Sequence, residues 1–313
     1  MPVSPLALGV DIGGTKVLIA LVAADGRVVR EWRRPTEAAR GGAAVMADVA
    51  DGIAVALGAL SPTEREALAG IGVCAAGQVD WDAGRIAYAS PNIPGWTGTE
   101  IRRVLDARFG LPVTVDNDAN AAAYGEWWAG GGVGSADMVM VTVGTGVGGG
   151  VVQAGKVLRG GRWRGGEVGH MIVDASGPRC NCGQPGCLEV FASGTAIARM
   201  AREARPGWTP TGPEVFAAAE AGDATASQVL DTAARYLALG LVSLSSLLDA
   251  DAYLIGGGVA TQPSFLPRVR RALADPAVSG ERGFDLDSVK PAALGEAAGV
   301  VGAAGELLAV VRA

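Results

Sequence analysis

Three of the four cysteines of the chain, Cys180, Cys182 and Cys187, are close neighbours in the sequence. Thiols at this spacing are typical of metal ligands in a reducing compartment, whereas disulfide frameworks belong to small secreted proteins. The cluster therefore predicts a bound metal ion. The fourth cysteine, Cys74, stands alone in an apolar segment, and we expect it to pack in the core as a small hydrophobic side chain.

Glycine-rich turns follow predicted strands at three places. Glycine allows successive backbone amides to point at one anion, because no Cβ atom stands in the way. One such pair is by itself more typical of a tight hairpin turn, but three together predict a phosphate site. The sequence has no Walker-type motif, and no Gly-x-Gly-x-x-Gly motif opens an N-terminal βαβ unit. The turns are Asp11-Ile-Gly-Gly-Thr15, Gly144-Thr-Gly-Val-Gly148 and Gly256-Gly-Gly258.

Three consecutive polar residues, Asp116, Asn117 and Asp118, follow a further predicted strand. Open α/β sheets place their ligands at the carboxyl ends of strands. These side chains are therefore candidates for binding or chemistry. Because strand-end carboxylates also cap the following helix, Asp116 has a structural alternative.

The elements that position these residues alternate between strands and helices. The chain opens with three strands joined by short turns, of which Asp25-Gly26 is a strong hairpin signal. The periodicity of apolar residues predicts the rest. Similar glycine turns at strand ends in both halves indicate an internal repeat. The predicted strands are 6–11, 17–22, 27–33, 71–75, 112–115, 138–143, 151–153 and 253–255, and the predicted helices 43–60, 101–109, 120–128, 227–248 and 296–311.

The composition excludes several classes of protein. With 313 residues, 49% hydrophobic and 19% charged, the chain is expected to bury a large core in two domains or one bilobal unit. Its net charge of −6 provides no basic surface for nucleic acid. No signal peptide is visible, and the longest uncharged apolar stretch, between Arg235 and Asp249, is too short to span a membrane. We therefore expect a cytoplasmic protein that binds neither nucleic acid nor membrane.

Taken together, the motifs resemble those of the ROK proteins (repressor, open reading frame, kinase), which are sugar kinases and related repressors. The resemblance extends from Leu8 to the final helix, and its cysteine motif is particular to this family. It rests on Leu8-Gly-Val-Asp-Ile-Gly-Gly-Thr-Lys16, Asp116-Asn-Asp-Ala-Asn-Ala121, Gly144-Thr-Gly-Val-Gly148, Gly166-Glu-Val-Gly-His170, Cys180-Asn-Cys-Gly-Gln-Pro-Gly-Cys-Leu-Glu189 and Ile255-Gly-Gly-Gly258.

The resemblance implies the two-lobed α/β fold of the actin/hexokinase/Hsp70-like ATPases, with duplicated ribonuclease H-like domains. The small N-terminal lobe would comprise residues 1–118 and 296–313, with the first phosphate loop. The large C-terminal lobe, residues 119–295, would hold the second phosphate loop, the metal site and the adenosine loop. ATP would bridge the lobes, and closure would exclude water from the γ-phosphate. Homodimers or homotetramers are the assemblies that the family implies.

By resemblance, His170 joins the three cysteines as a metal ligand. Three thiolates and one imidazole form a closed tetrahedral set for Zn²⁺, with no water left to activate, so the ion is expected to be structural. The second ring nitrogen of His170 would remain free to face the sugar. The pinned loop would place Glu189 at the anomeric end of the sugar and Glu167 on its 2- and 3-hydroxyls.

The resemblance assigns the catalytic base to Asp118 and the 3- and 4-hydroxyls of the sugar to Asn117. In phosphoryl transfer the position of the carboxylate matters more than its basicity, because the transition state is largely dissociative. Gly77 and Asn92 match loops that line the sugar cleft. The activity implied is ATP-dependent phosphorylation of a hexose 6-hydroxyl, with glucose as the leading substrate.

The remaining matched residues belong to the nucleotide. Mg²⁺ keeps several waters and takes one or two carboxylates, so Asp11 would suffice to orient it. Residues near the β- and γ-phosphates and the adenosine are implied to be Gly13, Gly14, Thr15, Lys16, Thr145, Gly146, Gly256, Gly257 and Gly258.

Two sugar-side segments depart from the family pattern. The first loop reads Ala76-Gly-Gln-Val-Asp80 where the family commonly has Pro-Gly-x-Val-Asp. The second reads Gly161-Arg-Trp-Arg-Gly-Gly166 where small residues are common. Trp163 and Arg164 are then either part of a solvated loop or a specificity element. The departures keep kanosamine, glucosamine, N-acetylmannosamine, fructose and allose open as substrates.

The sequence disfavours three alternative functions. A ROK repressor would need a DNA-binding segment before the first phosphate motif, which here starts at residue 9, and the acidic charge disfavours DNA. A catalytically silent sugar sensor would lack the base or the glycine turns, and both are present. An Hsp70-like chaperone would need a separate peptide-binding domain.

Overall fold

The computed structural model describes residues 4–312, and they form two compact units. The first unit contains the described residues up to Val133, the segment Lys156–Gly165 and those from Glu296 onward. The second contains Gly134–Gly155 and Gly166–Gly295. The chain therefore leaves the first unit, returns to it for one short segment and leaves it again.

Strands and helices alternate along the chain, as the sequence predicts. The strands are β1 (Leu6–Ile12), β2 (Lys16–Ala23), β3 (Val28–Pro35), β4 (Leu68–Ala75), β5 (Gln78–Asp80), β6 (Arg85–Tyr88), β7 (Val113–Asn117), β8 (Asp137–Val143), β9 (Val147–Gln153), β10 (Lys156–Val157), β11 (Ala252–Gly256) and β12 (Val289–Pro291). The helices are α1 (Gly42–Gly58), α2 (Pro62–Ala67), α3 (Ile101–Phe109), α4 (Asp118–Ala129), α5 (Glu189–Ala192), α6 (Gly194–Ala204), α7 (Gly212–Glu220), α8 (Ala224–Leu248), α9 (Phe265–Ala274), α10 (Pro276–Ser279) and α11 (Ala298–Arg312).

The main sheet of the first unit has the strand order β3-β2-β1-β4-β7. The predicted three-stranded meander forms its antiparallel side, and β1, β4 and β7 are parallel. Asp11 lies opposite Cys74, which in turn lies opposite Asp116. The carboxyl ends of the three parallel strands therefore bring the first phosphate loop and the Asp116–Asp118 segment to one edge.

The sheet of the second unit includes, in order, β9, β8, β11 and β12. Strand β8 is antiparallel to β9 and parallel to β11, which is parallel to β12. The same sequence of antiparallel and parallel neighbours relates β2, β1, β4 and β7 in the first unit. The internal repeat indicated by the glycine turns is thus confirmed at the level of topology.

Among the predicted boundaries that differ from the structure, two adjoin the candidate site. Helix α4 begins at Asp118 and not at Asn120, because the side chain of Asn117 accepts hydrogen bonds from the amides of Ala119 and Asn120 and so caps the helix. Strand β9 begins at Val147 and not at Val151. Its glycines pair with β8 despite their low strand propensity, so the glycine turn is shorter than predicted.

Helix α4 belongs to the first unit because it packs closely on α11. A Cβ atom on Gly302 of α11 would overlap the carbonyl oxygen of Ala121, so only glycine permits this approach. The observed unit boundary therefore follows α4, whereas the sequence-based boundary preceded it at residue 118.

The cores are apolar, and Cys74 is fully buried in the first unit, as predicted. Within residues 4–312, no helix combines the length and apolar character needed to cross a membrane.

Candidate active site

Asp11 lies near the end of β1, where the first unit gathers its strand ends. Burial, together with the nearby carboxylate of Asp118, raises the pKa of Asp11 to about 6. A hydrogen bond with Cys74 acts in the opposite direction. Asp11 and Asp118 are therefore electrostatically coupled within one unit, although more than a hundred positions separate them in the sequence.

The turn that follows Asp11 is a tight hairpin loop. The Gly13 amide donates to the Lys16 carbonyl at 3.1 Å, and the Thr36 hydroxyl donates to the Gly13 carbonyl at 2.6 Å. Gly14 and Thr15 are exposed, so a phosphate could approach their amides. Lys16, predicted at the nucleotide, forms an exposed ion pair with Glu296 at 2.8 Å.

Asn117 and Asp118 form a single hydrogen-bonded unit at the start of α4. The Asn117 side-chain amide donates to Asp118 Oδ1 at 2.9 Å and to the Gly77 carbonyl at 2.9 Å. The Ala119 amide also donates to Asp118 Oδ1, at 2.9 Å. Burial raises the pKa of Asp118, and the Ala119 and Asn117 hydrogen bonds partly offset that rise. The carboxyl group is thus held in place with one oxygen engaged.

The predicted sugar loops of the first unit meet at this point. Gly77 is tied to Asn117, and the Trp96 indole donates to the neighbouring Ala76 carbonyl at 3.1 Å. Trp96 is buried, whereas Asn92 is exposed on the same loop. The structure therefore connects the Gly77 loop, the Asn92 loop and the Asp118 carboxyl group.

His170, Cys180, Cys182 and Cys187 of the second unit form one cluster, as predicted. Their ligand atoms all lie within 4.8 Å of one another. The Cys182 and Cys187 sulfurs are 3.5 Å apart, and His170 Nδ1 is 3.7 Å from the Cys180 sulfur. A tetrahedral Zn²⁺ with its usual bond lengths requires roughly 3.8 Å between sulfurs and roughly 3.6 Å between sulfur and nitrogen. The donor set and its spacing therefore fit zinc.

Glu189 links this cluster to the second phosphate loop. Its Oε1 lies 3.7 Å from the Cys180 sulfur, while its Oε2 accepts the Val147 amide at 3.0 Å. A Cβ atom on Gly146 would clash with the same Oε2, so any larger residue there would displace the Glu189 carboxylate. Glu167 is exposed, and its carbonyl accepts the His170 amide at 3.0 Å.

A cavity of about 610 Å³ lies in the second unit beside the second phosphate loop. Thr145 and Gly258, both predicted at the nucleotide, line it. The Thr195 hydroxyl donates to the Thr145 carbonyl at 2.8 Å and so fixes the loop to α6. Gly256 is the buried last residue of β11, and Gly257 forms the turn between β11 and Gly258. The volume is within the usual range of small-molecule sites.

Part of the wall of this cavity was not predicted from the sequence. Arg202, Thr211, Phe216 and Gln262 line it. The available signal was Thr211-x-x-Glu214, a capping box that marks the start of α7. A helix start beside a glycine loop is a reason to search for an anion or nucleotide site.

Comparison with known proteins gives one consistent result. A model of the ROK family matches residues 7–309. A glucokinase from Halalkalibacterium halodurans is 38% identical over 316 residues, covering 94% of this chain and 92% of that protein.

Two solved structures extend the comparison to the fold. A ROK hexokinase from Thermus thermophilus has 36% sequence identity and a TM-score of 0.84, with 98% of this chain and 99% of that chain covered. A ROK glucokinase from Streptomyces griseus, in complex with glucose and AMPPNP, has 33% identity and a TM-score of 0.79, with 96% and 98% covered. The predicted actin/hexokinase/Hsp70-like fold is thereby confirmed.

Proposed function

Because the chain belongs to the ROK family, we propose that it transfers the γ-phosphoryl group of ATP to the 6-hydroxyl of a hexose, and that glucose is its preferred acceptor. The observation that carries this proposal is the Asp118 carboxyl group, held by Asn117 beside the Gly77 loop. A carboxylate fixed in this way suits a phosphoryl transfer in which positioning matters more than basicity.

In this reaction Asp118 acts as the general base. Its Oδ1 accepts hydrogen bonds from Asn117 and Ala119, so we assign Oδ2 to receive the proton of the 6-hydroxyl. Asn117 and Gly77 orient the acceptor from the first unit. Asn92, Glu167, His170 and Glu189 are also assigned to the sugar.

The nucleotide is assigned to the 610 Å³ cavity and to the glycine turns. Gly13, Gly14 and Thr15 are assigned to phosphate oxygens, and so are Thr145 and Gly146. The buried carboxylate of Asp11 suits a Mg²⁺ ion that keeps most of its waters. When bound, Mg²⁺ neutralises charge on the phosphates.

We assign a structural Zn²⁺ to His170, Cys180, Cys182 and Cys187. The ion would supply no catalytic water, because all four positions are occupied by protein atoms. It would fix the loop that carries Glu189 and, through Val147, the second phosphate loop.

The preference for glucose is supported by the glucokinase from H. halodurans and by the S. griseus glucokinase bound to glucose. The two departures from the family pattern keep amino sugars as the alternative. They meet in the first unit, where Arg164 Nε donates to Gln78 Oε1 at 3.4 Å. A guanidinium group at this loop disfavours a cationic amino sugar and favours a neutral hexose.

A coupled ADP-release assay tests the function directly. We expect kcat/KM to be highest for glucose among glucose, mannose, fructose, N-acetylmannosamine, glucosamine and kanosamine, with ATP and Mg²⁺ present. Omission of ATP is the control. If every sugar gives background turnover, the kinase proposal fails, and a higher value for glucosamine or kanosamine would replace glucose by an amino sugar.

The raised pKa of Asp11 predicts that the pH profile of kcat/KM for MgATP has an acid limb. Protonation removes the charge that orients Mg²⁺, so kcat/KM for MgATP is expected to fall as the pH drops below about 6. Initial rates at subsaturating MgATP from pH 5 to 8 measure it, and an Asp11→Asn variant should be low throughout and keep only the part of the limb that Asp118 contributes. A flat wild-type profile would remove Asp11 from the Mg²⁺ site.

We also propose that the protein is a cytoplasmic homodimer or homotetramer. A reducing compartment suits the free thiols of the zinc ligands. Light scattering during gel filtration distinguishes these assemblies from a monomer.

A further inference from the structure

A buried ion cluster lies in the first unit beneath the Asp118 segment. Arg159 Nε pairs with Asp116 Oδ2 at 2.8 Å, and Arg159 Nη2 pairs with Glu306. The side chains of Asp116 and Glu306 are 1% and 3% exposed, and that of Arg159 is 19% exposed. The three residues come from β7, the segment after β10 and α11, so one guanidinium joins three separate parts of the unit.

The cluster joins two buried carboxyl groups to one guanidinium. Burial, and next the Asp116 carboxylate, raises the pKa of Glu306 well above its usual value, and the Arg159 guanidinium acts in the opposite direction. Buried charges persist only when they are paired in this way, and removal of one partner leaves the other uncompensated.

Through Asp116 the cluster reaches the residues assigned to the reaction. Asp116 Oδ1 accepts the Asn117 amide at 2.7 Å and the Asn120 side-chain amide at 3.1 Å. Arg159 fixes the other oxygen, so it sets the plane of this carboxylate. The Asp116 carboxylate thereby contacts the backbone of Asn117, and the Asn117 side chain holds Asp118 and the Gly77 carbonyl.

Arg159 also reaches the first sugar loop. Its guanidinium carbon lies 3.6 Å from the ring centre of Trp81, the residue that follows β5. Its carbonyl accepts the Gly165 amide at 2.8 Å and so closes the loop that carries Arg164. Arg164 contacts Gln78, next to Gly77. Two routes, one polar and one through stacking, therefore lead from Arg159 to the acceptor side.

We propose that Arg159 is a positioning residue that aligns Asn117, Asp118 and the Gly77 loop for the acceptor sugar. This inference rests on the proposed kinase function. The Arg159 guanidinium is engaged by Asp116, Glu306 and Trp81, so its assigned action on the site runs through Asp116 and Trp81. Lysine cannot replace it. An ammonium group lacks the rigid, planar set of donors with which a guanidinium binds two carboxyl groups and stacks on an indole ring at the same time.

The test compares Arg159→Ala, Arg159→Met and Arg159→Lys by steady-state kinetics. We expect kcat/KM for glucose to fall by about 10²-fold in Arg159→Ala, since a shift near 1 Å costs that much, while KM for MgATP stays close to wild type. Methylguanidinium should restore part of the activity of Arg159→Ala by entering the vacated space. It should not rescue Arg159→Met, whose side chain fills that space.

Arg34→Ala is the matched control. Arg34 is a half-buried arginine of the same unit that donates to the Asp48 carbonyl and is not part of the ion cluster. Its replacement shows how the loss of such an arginine affects stability when the cluster stays intact. If Arg159→Ala does not fold, the kinetics of Arg159→Lys test the proposal, because lysine keeps the positive charge. Wild-type kcat and glucose KM in Arg159→Lys, or in folded Arg159→Ala, would overturn the proposal. An inactive wild-type protein would instead refute the kinase function.

Discussion

Replacement of Asp118 by asparagine is expected to lower kcat by about 10²–10⁴-fold and to leave glucose binding nearly unchanged. Asparagine keeps the size of the side chain and the acceptor at Oδ1, where Asn117 and Ala119 donate. It removes only the ability to take a proton. The loss should therefore appear in the chemical step and not in the equilibrium for sugar binding.

Two measurements separate these effects for Asp118→Asn. Single-turnover kinetics with saturating glucose and MgATP report the chemical step, and calorimetry without nucleotide reports glucose binding. The control is Asp275→Asn, which changes another aspartate at a helix start, one whose side chain accepts the Ala277 amide. That control is expected to affect stability and not kcat.

The pH profile gives an independent check of Asp118. Because burial raises its pKa, the carboxylate form becomes populated only above the ordinary aspartate range, so wild-type kcat should fall on the acid side. The residual rate of Asp118→Asn should lack this limb. Full activity in the variant, with the limb intact, would assign the base to another residue.

Much of this site could be predicted because its parts are contiguous in the sequence. Asn117 and Asp118 are neighbours, and a single cap interaction at the helix start sets the geometry of both. The three cysteines likewise lie in one short loop, so their convergence needs little of the rest of the fold. In these segments the local pattern already contains most of the geometry.

The contacts that the sequence did not predict are long-range. Arg159 meets Asp116 and Glu306 across separations of 43 and 147 residues, and no local pattern connects them. Glu189 contacts Val147 in the same way, 42 residues away. Such pairs depend on how strands and helices pack. The sequence alone therefore does not distinguish Arg159 from other charged residues near the loop at 160–166. Propensity and spacing describe neighbours along the chain and do not determine contacts of this kind.

The second large effect concerns the metal cluster. Replacement of Cys182 by alanine is expected to abolish zinc binding and to lower kcat/KM for glucose by about 10²-fold, mainly through a raised KM. Cys182 is exposed, so the substitution opens no cavity in the core. Without the ion, three ligands remain, and the loop between Cys180 and Glu189 loses the restraint that holds the Glu189 carboxylate against the Val147 amide.

Zinc content by atomic emission and glucose KM, measured on the same preparation, test whether metal and sugar site are coupled. Asn181→Ala is the matched control, because Asn181 is an exposed neighbour in the same loop with no ligand atom in the cluster. It should keep both zinc and KM. A zinc-free Cys182→Ala protein with wild-type KM would show that Glu189 is held without the metal. The Val147 amide alone would then have to orient the carboxylate, and the zinc would serve only the stability of the loop.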